Sequence, residues 1–167
     1  TRIVRDLKDF SYSGRDESWK LVDLHSGLES TINIIWNELK YKVDLKREFG
    51  QLPLVECLPS ELNQVYMNLL LNAGHAIAER GTITVRTGVE GENVWVEFED
   101  TGGGISPDLR QRIFDPFFTT KPVGSGTGLG LSISYSIINK HHGRIDLDST
   151  PGVGSRFRLV LPIKQPR

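Results

Sequence analysis

The segment from Pro59 to Gly81 constrains the fold most, because its apolar residues recur at the spacing of one helix face. At about 100° per residue, Leu62, Val65, Tyr66, Leu69, Ala73, Ala76 and Ile77 fall on a single stripe. Pro59-Ser60 supplies a start signal and Gly81 a stop. A helix with such a stripe must bury it against a second layer. Upstream, Leu24, Leu28, Thr31, Ile32, Ile35 and Leu39 form another stripe over about Leu24 to Tyr41, with Asp23 as candidate N-cap. Val43 to Phe49 alternates as a strand does, and Gln51 to Pro59 reads as a connector with two prolines. Downstream, Thr82 to Thr87 alternates with Ile83 and Val85 inward, and Asn93 to Glu99 with Val94, Val96 and Phe98 inward. Residues 106–126 form a long segment with a short helical stretch around Leu109 to Phe114, ending in a glycine-rich stretch that reads as a mobile loop. A helix follows from Thr127 to about His142, then two strands, Arg144 to Ser149 and Ser155 to Leu161. Strands clustered late with helices interspersed predict the α/β class: a two-layer sandwich with helices on one face of one sheet.

At 167 residues the chain is one domain with a short appendage. Residues 1–13 carry Ile3, Val4, Leu7 and Phe10 at helical spacing and read as the end of a helix that starts earlier. The first residue is Thr1, so the chain is expected to be a piece of something longer. Twenty Lys and Arg against 21 Asp and Glu give a formal charge of -1, which argues against nucleic acid as the main partner. Cys57 is the only cysteine, so neither an intrachain disulfide nor a cysteine zinc site can be built. No apolar run approaches the roughly 20 residues of a membrane span, and no leader is recognisable.

Four constellations could carry chemistry. Asn68, Asn72 and His75 stand at i, i+4 and i+7, beside the apolar stripe of their helix. Amide oxygens are hard donors suited to Mg²⁺, and His75 could reach a phosphate; a polar helix edge bonded to nearby backbone is the plainer alternative. Asp100 ends a strand and precedes Gly102, Gly103 and Gly104, so its carboxylate could accept from an amine while the glycines let a ligand approach; a simple tight turn has the same composition. Gly124-Ser-Gly-Thr-Gly-Leu-Gly130 opens a helix, where backbone N–H groups and the helix dipole suit an anion. It is not a P-loop, and no strand precedes it as a dinucleotide fold requires. Phe114-Asp-Pro-Phe-Phe-Thr-Thr-Lys121 could anchor a loop through its aromatics and bring Lys121 to a phosphate, or simply tack the loop to the core.

In this order the four elements resemble the catalytic ATP-binding domain of two-component sensor histidine kinases, within the GHKL ATPase superfamily. NLLLNAGHA (68–76) resembles the N box, DTGGGI (100–105) the first glycine box, FDPFF (114–118) the F box and GTGLGLS (126–132) the second glycine box. The resemblance covers about Val22 to Pro162 and implies the Bergerat ATP-binding sandwich, with a mixed sheet and an ATP lid at 106–126. It implies that Asp100 accepts from the adenine amino group, that Gly102 and Gly104 let the ring sit close, and that Ile105 lines the pocket. The resemblance also implies that Ser155 supports the adenine side through water, that Asn72 is the Mg²⁺ ligand with Asn68 assisting, and that His75 is a candidate phosphate contact. It implies that Gly126, Gly128, Leu129 and Gly130 offer N–H groups to phosphates, with Lys121 as a candidate for the γ-phosphate. Ala76, Phe117, Thr127 and Leu131 complete the implied nucleotide site, and Asn68 and Lys121 are its candidate catalytic residues.

The implied reaction is phosphoryl transfer from Mg-ATP to a histidine, for relay to a response-regulator aspartate. None of His25, His75, His141 and His142 fits the acceptor pattern of a long helix with a following acidic residue. Residues 1–18 are therefore expected to be the tail of the dimerisation and phosphoacceptor hairpin plus linker, and 19–167 the catalytic domain. The expected partners are that hairpin and a receiver domain, with no nucleic acid and no direct membrane contact. The chain alone is expected to be a cytoplasmic monomer that binds ATP without phosphorylating itself. A GHKL-type hydrolase or an anti-sigma-like serine kinase are the alternatives; hydrolytic relatives typically carry a glutamate base where this chain has Asn68.

Overall fold

The computed structural model describes residues 18–103 and 130–166. Two strands, β1 (Lys20–Val22) and β3 (Val55–Cys57), pair antiparallel as a small separate sheet. The main sheet holds β2 (Val43–Phe49), β4 (Gly81–Glu90), β5 (Asn93–Asp100), β6 (Arg144–Thr150) and β7 (Gly154–Pro162), in the order β2-β4-β5-β7-β6. The β2–β4 pair is parallel and the others antiparallel, so the sheet is mixed as expected. Among the described residues three helices, α1 (Leu24–Leu39), α2 (Pro59–Ala76) and α3 (Gly130–Lys140), form the second layer.

Both helix stripes meet the core. The six residues read as the α1 stripe are its buried residues, and the Asp23 side chain caps it by accepting from His25 N–H. A Cβ on Gly27 would lie 2.4 Å from Asn63 Oδ1, and one on Gly74 would lie 2.4 Å from Leu39 Cδ2. The start of α1 thus lies against the start of α2 and its end against the end, so the two helices run parallel. Three readings are corrected. The connector at 51–59 contains β3, and residues 20–22 form its partner β1. The helix from Pro59 stops at Ala76 instead of running to Gly81, because Ile77 leaves helical geometry with ψ near 115°. Ala76 is consequently exposed instead of buried, while Ile77 reaches the core from outside the helix.

Strand parity sorts the sheet's two faces. Val94, Val96, Phe98 and Asp100 of β5 share the helix-covered face, with Phe157, Leu159 and Leu161 of β7. The other face carries Glu48, Arg86, Glu97, Arg158 and Asp146 in register across all five strands. Glu97, 3% exposed at its side chain, accepts from Arg86 at 3.1 Å and Arg158 at 2.9 Å. Arg86 also donates to Glu48 at 2.7 Å, and these partners hold its guanidinium above the ordinary arginine range. Trp95 lies under Arg158, with the guanidinium 4.4 Å from its ring, and Gly88 leaves room for the indole. Opposite charges in register thus cover the face on which, among the described residues, no helix packs. Glu97→Ala takes from Arg158 the carboxylate that both of its hydrogen bonds reach, while Arg86 keeps Glu48 and Glu99. It is expected to cost about 2 kcal/mol, below the usual penalty for breaking a buried pair because the arginines keep partial solvent access. A lower urea midpoint at unchanged m-value checks it.

Candidate functional site

The N-cap of α2, Leu58, has no side chain able to bond the first turn. Its N–H donates instead to Nε2 of His141, at 3.1 Å. His141 is fully buried, and its Nδ1 lies 2.7 Å from the Ile137 carbonyl in the last turn of α3. A ring accepting at Nε2 and facing a carbonyl at Nδ1 is the neutral Nδ1–H tautomer. Further along, Lys140 pairs with Glu61 at 3.1 Å and the Asn68 amide donates to Ser134 Oγ at 3.4 Å. Positions rise in α2 as they fall in α3, so the helices are antiparallel, and the same register brings Asn72 level with Gly130. His141→Phe keeps a planar ring, though a larger one, and removes both side-chain bonds. The Ile137 carbonyl still accepts from the backbone N–H of residue 141, so the loss is one buried unpaired N–H at Leu58, expected to destabilise the domain by about 1–3 kcal/mol, read as a lower urea midpoint.

Asp100 ends β5 on the helix side and is 5% exposed. Its Oδ1 accepts from Gly102 N–H at 2.8 Å, and the carboxylate also accepts from the Ser155 backbone. Burial pushes its carboxyl above the ordinary carboxylate range, the two N–H donors pull it back, and neighbouring Glu99 raises it further. The turn after Asp100 is clamped from two sides. The Ala76 carbonyl at the end of α2 accepts from Gly103 N–H at 3.2 Å, and a Cβ on Gly102 would lie 2.5 Å from that same oxygen. Gly152 N–H donates to the Gly103 carbonyl at 2.8 Å, and a Cβ on Gly154 would lie 2.0 Å from the Asp100 carbonyl. The β6–β7 turn therefore holds the backbone around Asp100 in place. Neither Gly152 nor Gly154 was among the expected site residues; the Gly-Val-Gly spacing before the last strand was the available signal.

Of the other expected residues, Asn68 and Asn72 are half-buried on α2, and His75 and Ala76 are exposed at its last turn. Ser155 is buried opposite Asp100, with its hydroxyl 2.8 Å from that of Ser149. Gly130 opens α3 and Leu131 follows, half-buried. Gly104, Ile105, Phe117, Lys121, Gly126, Thr127, Gly128 and Leu129 lie outside the described residues. The fold thus brings Asp100 and Gly102 against the end of α2 that carries Asn72 and His75, with the start of α3 alongside. Among the described residues no group of three His, Cys, Asp or Glu could hold a metal.

Comparison with known proteins gives a consistent picture. The family described as histidine kinase-, DNA gyrase B-, and HSP90-like ATPase matches residues 57–165. The signal transduction histidine-protein kinase AtoS of Escherichia coli (strain K12) is 39% identical over 165 residues, which are 97% of this chain and 27% of that protein. The chain spans less than a third of the length of the curated relatives it matches. The nucleotide-free catalytic domain of histidine kinase ThkA superposes with a TM-score of 0.79 at 29% identity, covering 88% of this chain and 99% of that one. ThkA in complex with response regulator protein TrrA superposes at 0.76 and 27% identity, covering 97% of this chain and 46% of that one.

Proposed function

We propose, because this chain belongs to the histidine kinase-, DNA gyrase B- and HSP90-like ATPase family and is a catalytic ATP-binding domain of the sensor histidine kinase kind, that it binds Mg-ATP and passes the γ-phosphoryl group to a histidine on a separate domain. The observation that carries this reading is Asp100: a buried carboxylate at a strand end, held by Gly102 N–H, beside a turn kept open by glycines. Such a group is built to accept from a buried amine, and the adenine amino group is the donor this family offers it. Ser155 holds Asp100 from the neighbouring strand. Asn72, assisted by Asn68, fits Mg²⁺ by the chemistry of its amide oxygen. Bound Mg²⁺ would supply charge neutralisation at the transferring phosphoryl group. His75 and the N–H groups from Gly126 to Leu131 are the proposed phosphate contacts, with Lys121 for the γ-phosphate. Gly104, Ile105, Ala76 and Phe117 complete the adenine side.

The chain's own histidines support an acceptor elsewhere. His141 is locked in the core, His25 stacks on Phe49 and bonds Thr87 Oγ1 at 2.8 Å, and His142 Nδ1 lies 2.9 Å from Gln165 Oε1. We assign residues 1–18 to the hairpin tail and linker, and 19–167 to the catalytic domain. The final acceptor is a response-regulator aspartate, a relay supported by the ThkA–TrrA complex. The chain is read as a cytoplasmic monomer; no helix among the described residues is long and apolar enough to cross a membrane. A hydrolase is disfavoured because the Asn68 amide has no basicity with which to activate water. The test is to incubate the chain with γ-labelled Mg-ATP, with and without a histidine-bearing dimerisation hairpin domain supplied as a separate protein. Acid-labile label on the hairpin, and none on the chain alone, is expected. Phosphate release unaffected by the hairpin, or acid-stable label on serine, would overturn the reading.

A further inference from the structure

Asp100, Ser155 and Ser149 stand side by side on three adjacent strands. Asp100 of β5 is paired with Ser155 of β7, and Ser155 with Ser149 of β6. Each is 5% exposed and lies on the sheet face that the helices cover. The Asp100 carboxylate accepts from the backbone N–H groups of Gly102 and Ser155. The N–H and hydroxyl of one serine are near neighbours. A carboxylate that accepts from the first is therefore within a χ1 turn of the second. A hydrogen bond to a carboxylate is about twice as strong as a neutral one, so the charge draws the Ser155 proton. The hydroxyl is nevertheless found 2.8 Å from Ser149 Oγ, the usual length of an O–H···O bond. Ser149 Oγ in turn lies 3.2 Å from the Gly154 carbonyl, to which it can donate. A hydroxyl has one proton to give. Both contacts are satisfied together only when Ser149 donates to Gly154 and Ser155 donates to Ser149.

We propose that Ser149 is a positioning residue for nucleotide binding: by taking the Ser155 proton, it keeps the Asp100 carboxylate open to the amino group of the base. The inference rests on the reading of Asp100 as the adenine acceptor. Ser149 acts through Ser155 and stands two strands away from Asp100. Without a hydroxyl at 149, the Ser155 proton loses its partner, and the carboxylate is the strong acceptor within reach. Burial raises the Asp100 carboxyl and two N–H donors already pull it back. A third donor would occupy a lone pair that the base needs and weaken the carboxylate as an acceptor. The Ser149–Gly154 contact joins the end of β6 to the start of β7, so the acceptor for Ser155 is fixed by the same turn that holds the Asp100 backbone.

The test compares Mg-ADP with the Mg complex of purine riboside 5′-diphosphate, which is ADP without the amine, by titration calorimetry of the whole chain. The ratio of the two affinities reads what the amine contributes. The parent is expected to prefer ADP. In Ser149→Ala, ADP is expected to bind about fivefold more weakly, while the probe without the amine changes by less than about twofold. Ser149→Thr keeps the hydroxyl and is expected to restore the parental ratio. Ser149→Val, of threonine's size without the hydroxyl, is expected to lose it, and this pair decides the matter if Ser149→Ala fails to fold. Equal weakening of both nucleotides would make Ser149 merely structural and overturn the proposal. An unchanged ratio in Ser149→Ala, with ADP still bound, would overturn it and leave the reading of Asp100 standing. Binding of neither nucleotide by the parent would overturn both.

Discussion

Asp100→Asn is expected to weaken ATP binding about a hundredfold, roughly 2.7 kcal/mol, while the domain stays folded. The amide oxygen can still accept from Gly102 N–H, so the turn keeps its anchor. The amide nitrogen, however, turns a donor toward a site that needs an acceptor. A buried polar group set against the wrong partner discriminates far more strongly than a missing apolar contact. Titration calorimetry of parent and variant measures the ratio, and equal affinities would remove Asp100 from the adenine site. The pH dependence gives a second readout. Burial raises the Asp100 carboxyl above the ordinary carboxylate range. Affinity should therefore be full above that raised value and fall as pH drops through it, earlier than an exposed aspartate would allow. Stability carries the opposite sign. A carboxyl raised by folding contributes stability that is present below its unfolded pKa and lost as pH rises through its folded one. Asp100→Asn should abolish both dependences and melt no lower than the parent at neutral pH.

Gly154→Ala is expected to produce the largest loss of stability from a single methyl group. Its Cβ would lie 2.0 Å from the Asp100 carbonyl oxygen and 3.0 Å from the carbonyl carbon, and φ is 149°. Both atoms belong to the backbone of a paired strand, so neither can step aside as a side-chain end would. Overpacking and backbone strain together should cost about 3 kcal/mol, or roughly 6–12 °C in melting temperature for a domain of this size. The displaced strand end carries Asp100, so nucleotide affinity should fall as well. Gly103→Ala is the matched control: a Cβ there meets nothing within 4 Å. It should change stability by no more than about 0.5 kcal/mol, as judged by thermal melts of the three proteins.

Much of this architecture is legible in the order of the residues because its signals are local and periodic. The α1 stripe returns as the buried set of that helix, and the alternation of Val94, Val96 and Phe98 carries through to an inward-facing Asp100. The short strands β1 and β3 escape such reading, since three residues are too few to show a period. Ala76 fails for a related reason: the 100° step holds only while the chain stays helical, and that step ends at Ile77. The four nucleotide boxes are recognisable because each needs its residue types within a few positions of one another.

The contacts that bring α2, the turn after Asp100 and α3 together are long-range. Leu58 and His141 stand 83 positions apart, and Asn68 and Ser134 stand 66 apart. No local pattern announces that a histidine near the end of one helix will cap the start of another. The fit of Gly154 against Asp100 likewise exists only once β7 lies beside β5. Periodicity depends on the chemistry of neighbours along the chain and can be read from it directly. Register between helices, and the space left beside a backbone carbonyl, depend on which surfaces meet after collapse. The kinds of groups that could bind nucleotide are therefore written in the residue order, and their convergence at one end of α2 follows from packing.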